Sequence, residues 1–494
     1  MAAPVAPAGE AAVQAGTDVF ARALQAVARS PTRIQYVART RYMVTCYTTM
    51  VRSLRVAFVS PSGLGNLGDA AIIDSFVAGI RRRQPGAEIV GFTLNPADTE
   101  VRHGVDAYTC GAFSLPHYTI RRAPRMTPAA AAASSAGAPG EDAGDEGDEA
   151  VPPLRRLRRA VAAIPGARQG RRAVSMAVAE VRHRREVAAR LEGFDHVVAS
   201  GGGQLDEFWG GPFGHPYTLY RFSRAARRAG AQFAVLSVGT GTLATPLGRR
   251  FVRRALESAS YRSFRDARSR ELAAPAGAVE SDLVVPDLAY GLPVAEEVRP
   301  ARGRRLIGVA PMCYADPRVW PRPDAERYGR HLSTMAAIAA RAVRDGHEVA
   351  MFGTDRPDAA PVEECHALAV AQLTGDERAR LRVHPLDSVG PLMALLGSCD
   401  AVVAARFHGV LLAHVVGCPV IAVSHERKVA TLMSELGHEA YCAPIDELDP
   451  AAASARLAEV LADRDAISAH IREVAAEYRR RVDAQFDRVF GAPR

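Results

Sequence analysis

Short apolar runs rich in Val, Ile and Ala alternate with stretches of helical period, and they do so twice along this chain. The first series predicts strands at Val56–Ser60, Ile89–Thr93, His196–Ser200, Phe233–Val238 and Arg262–Phe264. Between the first two, Ile72, Ile73, Phe76, Val77 and Ile80 fall on one face of a helix. After a Pro-rich connection near 292–302, the second series predicts Leu306–Ala310, Glu348–Phe352, Ala401–Ala404 and Val420–Val423. Strand–helix alternation buries its apolar faces best as parallel sheets covered by helices on both sides. The predicted class is therefore α/β: two doubly wound domains facing a cleft, over residues 51–298 and 303–445. An N-terminal extension, 1–50, carries a predicted helix from Thr17 to Arg29. A C-terminal helix within 449–494 is expected to fold back across both domains.

Two segments do not fit the alternation. Residues 127–150 turn to Ala, Ser, Gly and Pro and then to an acidic run, which buries too little apolar surface to order itself and reads as a disordered insert. Residues 151–190 follow with 11 arginines. They read as a solvated helical face, with a membrane- or ligand-facing patch as the alternative.

At 494 residues and 48% apolar content the chain can bury two sizeable cores. It holds no uninterrupted apolar run of about 18 residues, so no membrane-spanning helix is expected. The first residues lack the charged head and apolar stretch of a secretory signal, and a cytoplasmic location is expected, peripheral to the inner face of the membrane if the substrate is lipid-linked. Seven cysteines without a Cys-x-x-Cys pair argue against a disulfide framework and a zinc site. The net charge of +8 points to anionic partners. With aromatics at 6% and no stacking platform, small anions are favoured over nucleic acid.

Four motifs carry candidate chemistry. Gly63-Leu64-Gly65-Asn66-Leu67-Gly68 follows a strand and opens a helix. Asp69, however, places a carboxylate where a pyrophosphate would sit, so a turn shaping the cleft wall is favoured over a dinucleotide site. Asp69 either caps that helix or meets an acceptor hydroxyl. Gly201, Gly202 and Gly203 free backbone amides for an anion or a sugar, beside Asp206, Phe208, Trp209 and His215. Arg265 and Asp266 end a strand, with Ser269 three residues on. Arg265 then faces the ligand crevice of an open sheet or pairs locally with Asp266. The densest block runs from Arg406-Phe407-His408-Gly409 to Lys428, which is the one lysine of the chain. An ammonium kept where arginine serves everywhere else suggests a site that a planar guanidinium does not suit. Arg406, His408 and Lys428 at adjacent strand ends predict a cationic crevice that binds phosphate, carboxylate or both.

Taken together, Gly-x-Gly-Asn-x-Gly-Asp, Gly-Gly-Gly, Arg-Asp-x-x-Ser and Arg-x-His-Gly with a lysine twenty residues on resemble the polysaccharide pyruvyltransferase family, over about Val56 to Gly437. The resemblance implies two Rossmann-like domains in a GT-B-like arrangement. It also implies a metal-independent transfer of pyruvate from phosphoenolpyruvate, a co-substrate, onto a sugar as a cyclic ketal, with no cofactor. In that reading Arg265, Arg406 and Lys428 grip the phosphate and carboxylate, and Asn66, Ser269 and the triple glycine line the substrate. His408 is the general acid, and Asp69, Asp206 or deprotonated His408 the base. The acceptor is a glycan or lipid-linked glycan. Two rivals are a sugar-nucleotide glycosyltransferase of the same fold and a non-catalytic anion- or sugar-binding relative.

Overall fold

In the computed structural model, which describes residues 53–111, 167–208, 210–294 and 303–491, two all-parallel sheets form the frame. The first sheet contains β1 (Arg55–Val59), β2 (Glu88–Thr93), β3 (Asp106–Thr109), β4 (His196–Ser200), β5 (Gln232–Val238), β6 (Ala259–Phe264) and β7 (Leu283–Val284). Their order is β3-β2-β1-β4-β5-β6-β7. The second contains β8 (Leu306–Ala310), β9 (Glu348–Met351), β10 (Leu381–Val383), β11 (Ala401–Ala404), β12 (Val420–Ser424) and β13 (Cys442–Pro444), in the order β10-β9-β8-β11-β12-β13. In both, the chain starts mid-sheet, builds outward to one edge, then crosses over and builds the other way. The predicted doubly wound class is what the chain adopts.

Central strands are buried on both faces, which is why they read as continuous apolar runs: all five residues of β4 and β8 are buried. Helix α1 (Leu67–Arg83) follows β1 and buries the predicted face of Ile72, Ile73, Phe76, Val77 and Ile80. Asp69 in its first turn and Arg81, Arg82 and Arg83 in its last turn complement the helix dipole.

The predicted C-terminal helical stretch is two helices, Pro450–Ala462 and Arg464–Phe490, separated at Asp463. The second of these touches both halves. Arg472 lies against Gly417 in the second half, while Phe486 and Phe490 meet Phe76 of α1 at 5.9 and 6.1 Å. Arg83 adds bonds to Asp483 and Asp487. The three buried rings pack this helix onto α1.

Within the arginine-rich region, the helix Ala167–Arg190 turns Glu180, His183 and Val187 inward, and Glu180 pairs with Arg221 at 3.2 Å. Arg182 remains 81% exposed, as a solvated face requires. The predicted helix 17–29, the insert 127–150 and the arginines of 151–159 lie outside the described residues.

Candidate active site

Every candidate side chain stands at the carboxyl end of a strand, where open parallel sheets bind ligands. Asp69 follows β1, Asp206 follows β4, Arg265 follows β6, and Asp287 follows β7. Asp355 follows β9, Arg406 and His408 follow β11, and Lys428 follows β12. The two sets meet because the glycine loop after β1 is fastened to the loop after β9. Leu67 N donates to Thr354 O at 2.9 Å, and Arg356 N donates to Gly65 O at 3.2 Å. Asn66 Nδ2 donates to Asp355 Oδ2 at 3.1 Å. Gly68 lies so close to His408 that an added Cβ would stand 1.9 Å from its Nδ1. The third glycine of the motif is thus a seat for an imidazole from the other half.

Phe407 (the first residue of helix α2, Phe407–Val415) organises the cations. The Arg265 guanidinium lies 4.5 Å from its ring centre and the Lys428 ammonium 5.8 Å. The four side chains singled out in the sequence, Arg265, Arg406, His408 and Lys428, do come together here.

The expectation of a bare cationic crevice needs correction, because each cation has a carboxylate beside it. Arg406 donates to Asp358 at 2.6 Å and lies 3.4 Å from Asp355. Asp358 is fully buried, so Arg406 is committed first to neutralising it and only secondarily available to a ligand. Arg265 faces Asp266 at 3.3 Å and Asp287 at 3.6 Å. Lys428 pairs with Glu426 at 2.9 Å and is the most exposed of the three, at 39%. Burial would raise Glu426, but its bonds with His425 and Lys428 outweigh that and hold it below the usual range. Burial pushes Asp206, Asp287 and Asp355 upward. Of the carboxylates beside the cations, Asp287 and Asp355 are thus displaced toward the protonated form and Glu426 toward the ionised one.

Two groups stand out for proton chemistry. Asp69 is pushed up to about 7 by burial and by Asp355, against the pull of Lys428. It is not the helix cap: Asn66 Oδ1 accepts from Gly68 N and Asp69 N, leaving the Asp69 carboxyl without a hydrogen bond among the described residues. His408 is pushed down to about 3 by burial, then by Arg265, Lys428 and Arg406. Without a bound anion its imidazole is neutral at pH 7, so a charged His408 is not what the free site holds.

Other predicted residues have structural work. Asn66 caps α1 and clamps Asp355, and Ser269 is buried with its Oγ accepting from Thr240 N at 3.1 Å. These bonds tie both residues into the frame of the site. Gly201 and Gly202 do adopt positive φ, at 59° and 69°, and Gly202 and Gly203 have open space at the Cβ position. Trp209 lies outside the described residues. Sequence reasoning missed Asp287, Asp355, Asp358 and Phe407. For Asp287 the available signal was its place just beyond a strand; for Phe407, its position between two motif residues. Among the described residues no three of His, Cys, Asp and Glu are disposed to hold a metal ion.

Comparison with known proteins agrees with the architecture. The fold resembles S. aureus MnaA in a co-structure with UDP, with a TM-score of 0.50 at 9% identity, covering 88% of this chain and 96% of that one. It also resembles a putative UDP-N-acetylglucosamine 2-epimerase from Listeria monocytogenes, with a TM-score of 0.50 at 12% identity, covering 90% and 100%. These likenesses establish the two-domain GT-B-like fold and nothing finer. No curated protein sequence matches the chain. The sequence profile of one family does, across residues 66–427, from the cap of α1 to the first residue of the helix that carries Lys428. The chain belongs to the polysaccharide pyruvyl transferase family.

Proposed function

We propose that this protein transfers the pyruvyl group of phosphoenolpyruvate to a sugar of a polysaccharide or glycolipid, forming a cyclic ketal and releasing phosphate. The observation that carries this reading is the seating of His408 against Gly68, the residue before Asp69, in a site it shares with Arg265 and Lys428. The Asp69 carboxyl, raised to about 7, and the neutral imidazole agree with it. Phosphoenolpyruvate needs a proton delivered to its methylene carbon, which leaves C2 electrophilic. It then needs a base to take the proton of the attacking sugar hydroxyl. Asp69 suits the first task and His408 the second, which reverses the order suggested by residue type alone.

In the proposed sequence the C3–H bond forms with the Asp69 proton, and the hydroxyl oxygen bonds to C2 as His408 takes its proton. The C2–O bond to phosphate then breaks as the departing oxygen takes back the proton held by His408, a second hydroxyl closes the ring at C2, and its proton returns to the Asp69 carboxylate. Arg265 and Lys428, both beside Phe407, hold the phosphate and carboxylate. Arg406 supports them from the Asp358 side. Cations placed at the departing phosphate stabilise it by roughly 3 kcal/mol.

The test is phosphate release from phosphoenolpyruvate in the presence of a panel of glycans, with the product checked for the added mass of pyruvate less water. His408→Ala and Asp69→Asn should each abolish it. A thermal shift with a UDP-sugar and none with phosphoenolpyruvate would instead place the protein with the sugar-nucleotide transferases.

A further inference from the structure

Behind His408 stand two buried atoms that have nothing to bond. His408 Nε2 and Asp287 Oδ2 are both shielded from solvent, and neither has a hydrogen-bond partner among the described residues. They face each other at 4.0 Å. The same carboxylate oxygen lies 3.6 Å from Arg265 Nη1, also beyond hydrogen-bond reach. Leaving a buried donor or acceptor unsatisfied costs about 1–3 kcal/mol each. An approach of about 1 Å would satisfy both donors at once.

Asp287 is built to stay in place. Its Oδ1 accepts from Ala289 N at 3.0 Å, capping the buried turn Leu288–Gly291. That turn is gripped by Ser75 Oγ, which donates to Leu288 O, and by Arg479, which donates to Tyr290 O and Leu292 O. His408 comes from the other half of the molecule, with Nδ1 directed past Gly68.

We infer that Asp287 is a positioning residue for His408: its Oδ2 receives the Nε2–H, fixing the tautomer whose Nδ1 lone pair faces the acceptor hydroxyl. In the reaction proposed above, His408 Nδ1 takes the hydroxyl proton and becomes an imidazolium, whose Nε2–H then lies against the Asp287 carboxylate. Charge stays balanced, because the proton remains on the ring and is not passed to Asp287. Donor binding favours the approach. An anion held by Arg265 and Lys428 offsets the two cations that disfavour a charged ring, with Arg406 already matched by Asp358. The same carboxylate keeps the Arg265 guanidinium oriented between Phe407 and the donor.

This role rests on the function proposed above, but the tautomer can be read without turnover. Protein labelled with ¹⁵N at histidine, and assigned with His408→Gln, is examined at pH 7.5 by long-range ¹H–¹⁵N correlation, alone and with inorganic phosphate as the probe. The expected result is the Nε2–H form in wild type and its loss in Asp287→Asn, with at least about a 10²-fold fall in kcat and a smaller change in donor KM. A Nδ1–H form in wild type overturns the inference, whether or not the variant folds. So does a folded Asp287→Asn protein with wild-type tautomer and kcat. If no pyruvyl transfer is ever observed, the tautomer result still stands or falls alone.

Discussion

The Arg265 guanidinium sits 4.5 Å from the centre of the Phe407 ring, although the two residues belong to different sheets. Cation–π contact of this kind is worth about 0.5–2 kcal/mol, more when water is excluded. It lets a cation from one half rest on the other without being neutralised there. Replacing Phe407 with Leu keeps the apolar volume of the helix start and removes the π face. The expected outcome is a rise in KM for phosphoenolpyruvate of about 2- to 30-fold, with kcat changed far less. Steady-state kinetics read this directly, and an unchanged KM would take Phe407 out of donor binding.

Lys428 lies 5.8 Å from the centre of the same ring and is tied to Glu426 at 2.9 Å. Glu426 is itself held by His425 at 2.9 Å, so the ammonium is presented by a fixed carboxylate. A guanidinium is planar and larger, and it would pair with Glu426 through two donors and turn away from the ligand. Lys428→Arg should therefore lower kcat/KM by about tenfold or more while leaving the melting temperature near wild type. Full activity in that variant would show the lone lysine to be incidental.

The buried centre of each sheet was legible in the sequence, and the edges were not. β4, β8 and β11 were read to the residue because they are fully buried and therefore uniformly apolar. β3, β7, β10 and β13 have two to four residues each and lie toward or at a sheet edge, where composition is mixed and periodicity has no room to appear. The same contrast holds in the site. His408 and Asp69 were visible because local motifs flag them. The carboxylates that match Arg406 lie about fifty residues upstream and announce themselves only when β9 and β11 come to flank β8. Asp287 is a single acid after a two-residue strand, and its importance comes wholly from what faces it.

Arg406 and Asp358 test the correction to the cationic crevice. Asp358 is fully buried and accepts from Arg406 and from Cys313 N at 3.1 Å. Arg406→Ala strands that carboxylate, and losing one partner of a buried pair costs about 3–5 kcal/mol. Chemical denaturation should show that loss, and the double change Arg406→Ala with Asp358→Ala should recover part of it. Unaltered stability in Arg406→Ala, with activity abolished, would return Arg406 to the list of donor-gripping cations.

Gly68 has no requirement for positive φ, so its glycine identity is about space and not backbone conformation. Its substitution by Ala would drive a methyl group to within 1.9 Å of His408 Nδ1, and the ring must move. Overpacking of this kind costs about 1–3 kcal/mol, and a 1 Å displacement of a reacting group can cost about 10²-fold in rate. Both effects are expected in Gly68→Ala. Gly329→Ala, with nothing within 4 Å of the new methyl, is the matched control.

Asp69 links the chemistry to pH. Its carboxyl is raised from 3.8 to about 7, so the fold favours the neutral form. For an acid shifted in this direction, the folded state is favoured most below pH 4 and loses that advantage as pH climbs to about 7, with no further change above. One pKa unit corresponds to about 1.4 kcal/mol, and the partial exposure of Asp69 reduces the full shift to an expected penalty of about 1–3 kcal/mol. Asp69→Asn, which cannot ionise, should melt with wild type near pH 4 and above it at pH 8. If Asp69 also delivers the proton, wild-type kcat declines as pH rises past about 7 and Asp69→Asn has no measurable turnover at any pH. Melts and rates measured from pH 4 to 8 separate the two consequences: greater stability with retained turnover would make the raised carboxyl a by-product of burial, while greater stability with lost turnover marks it as the acid.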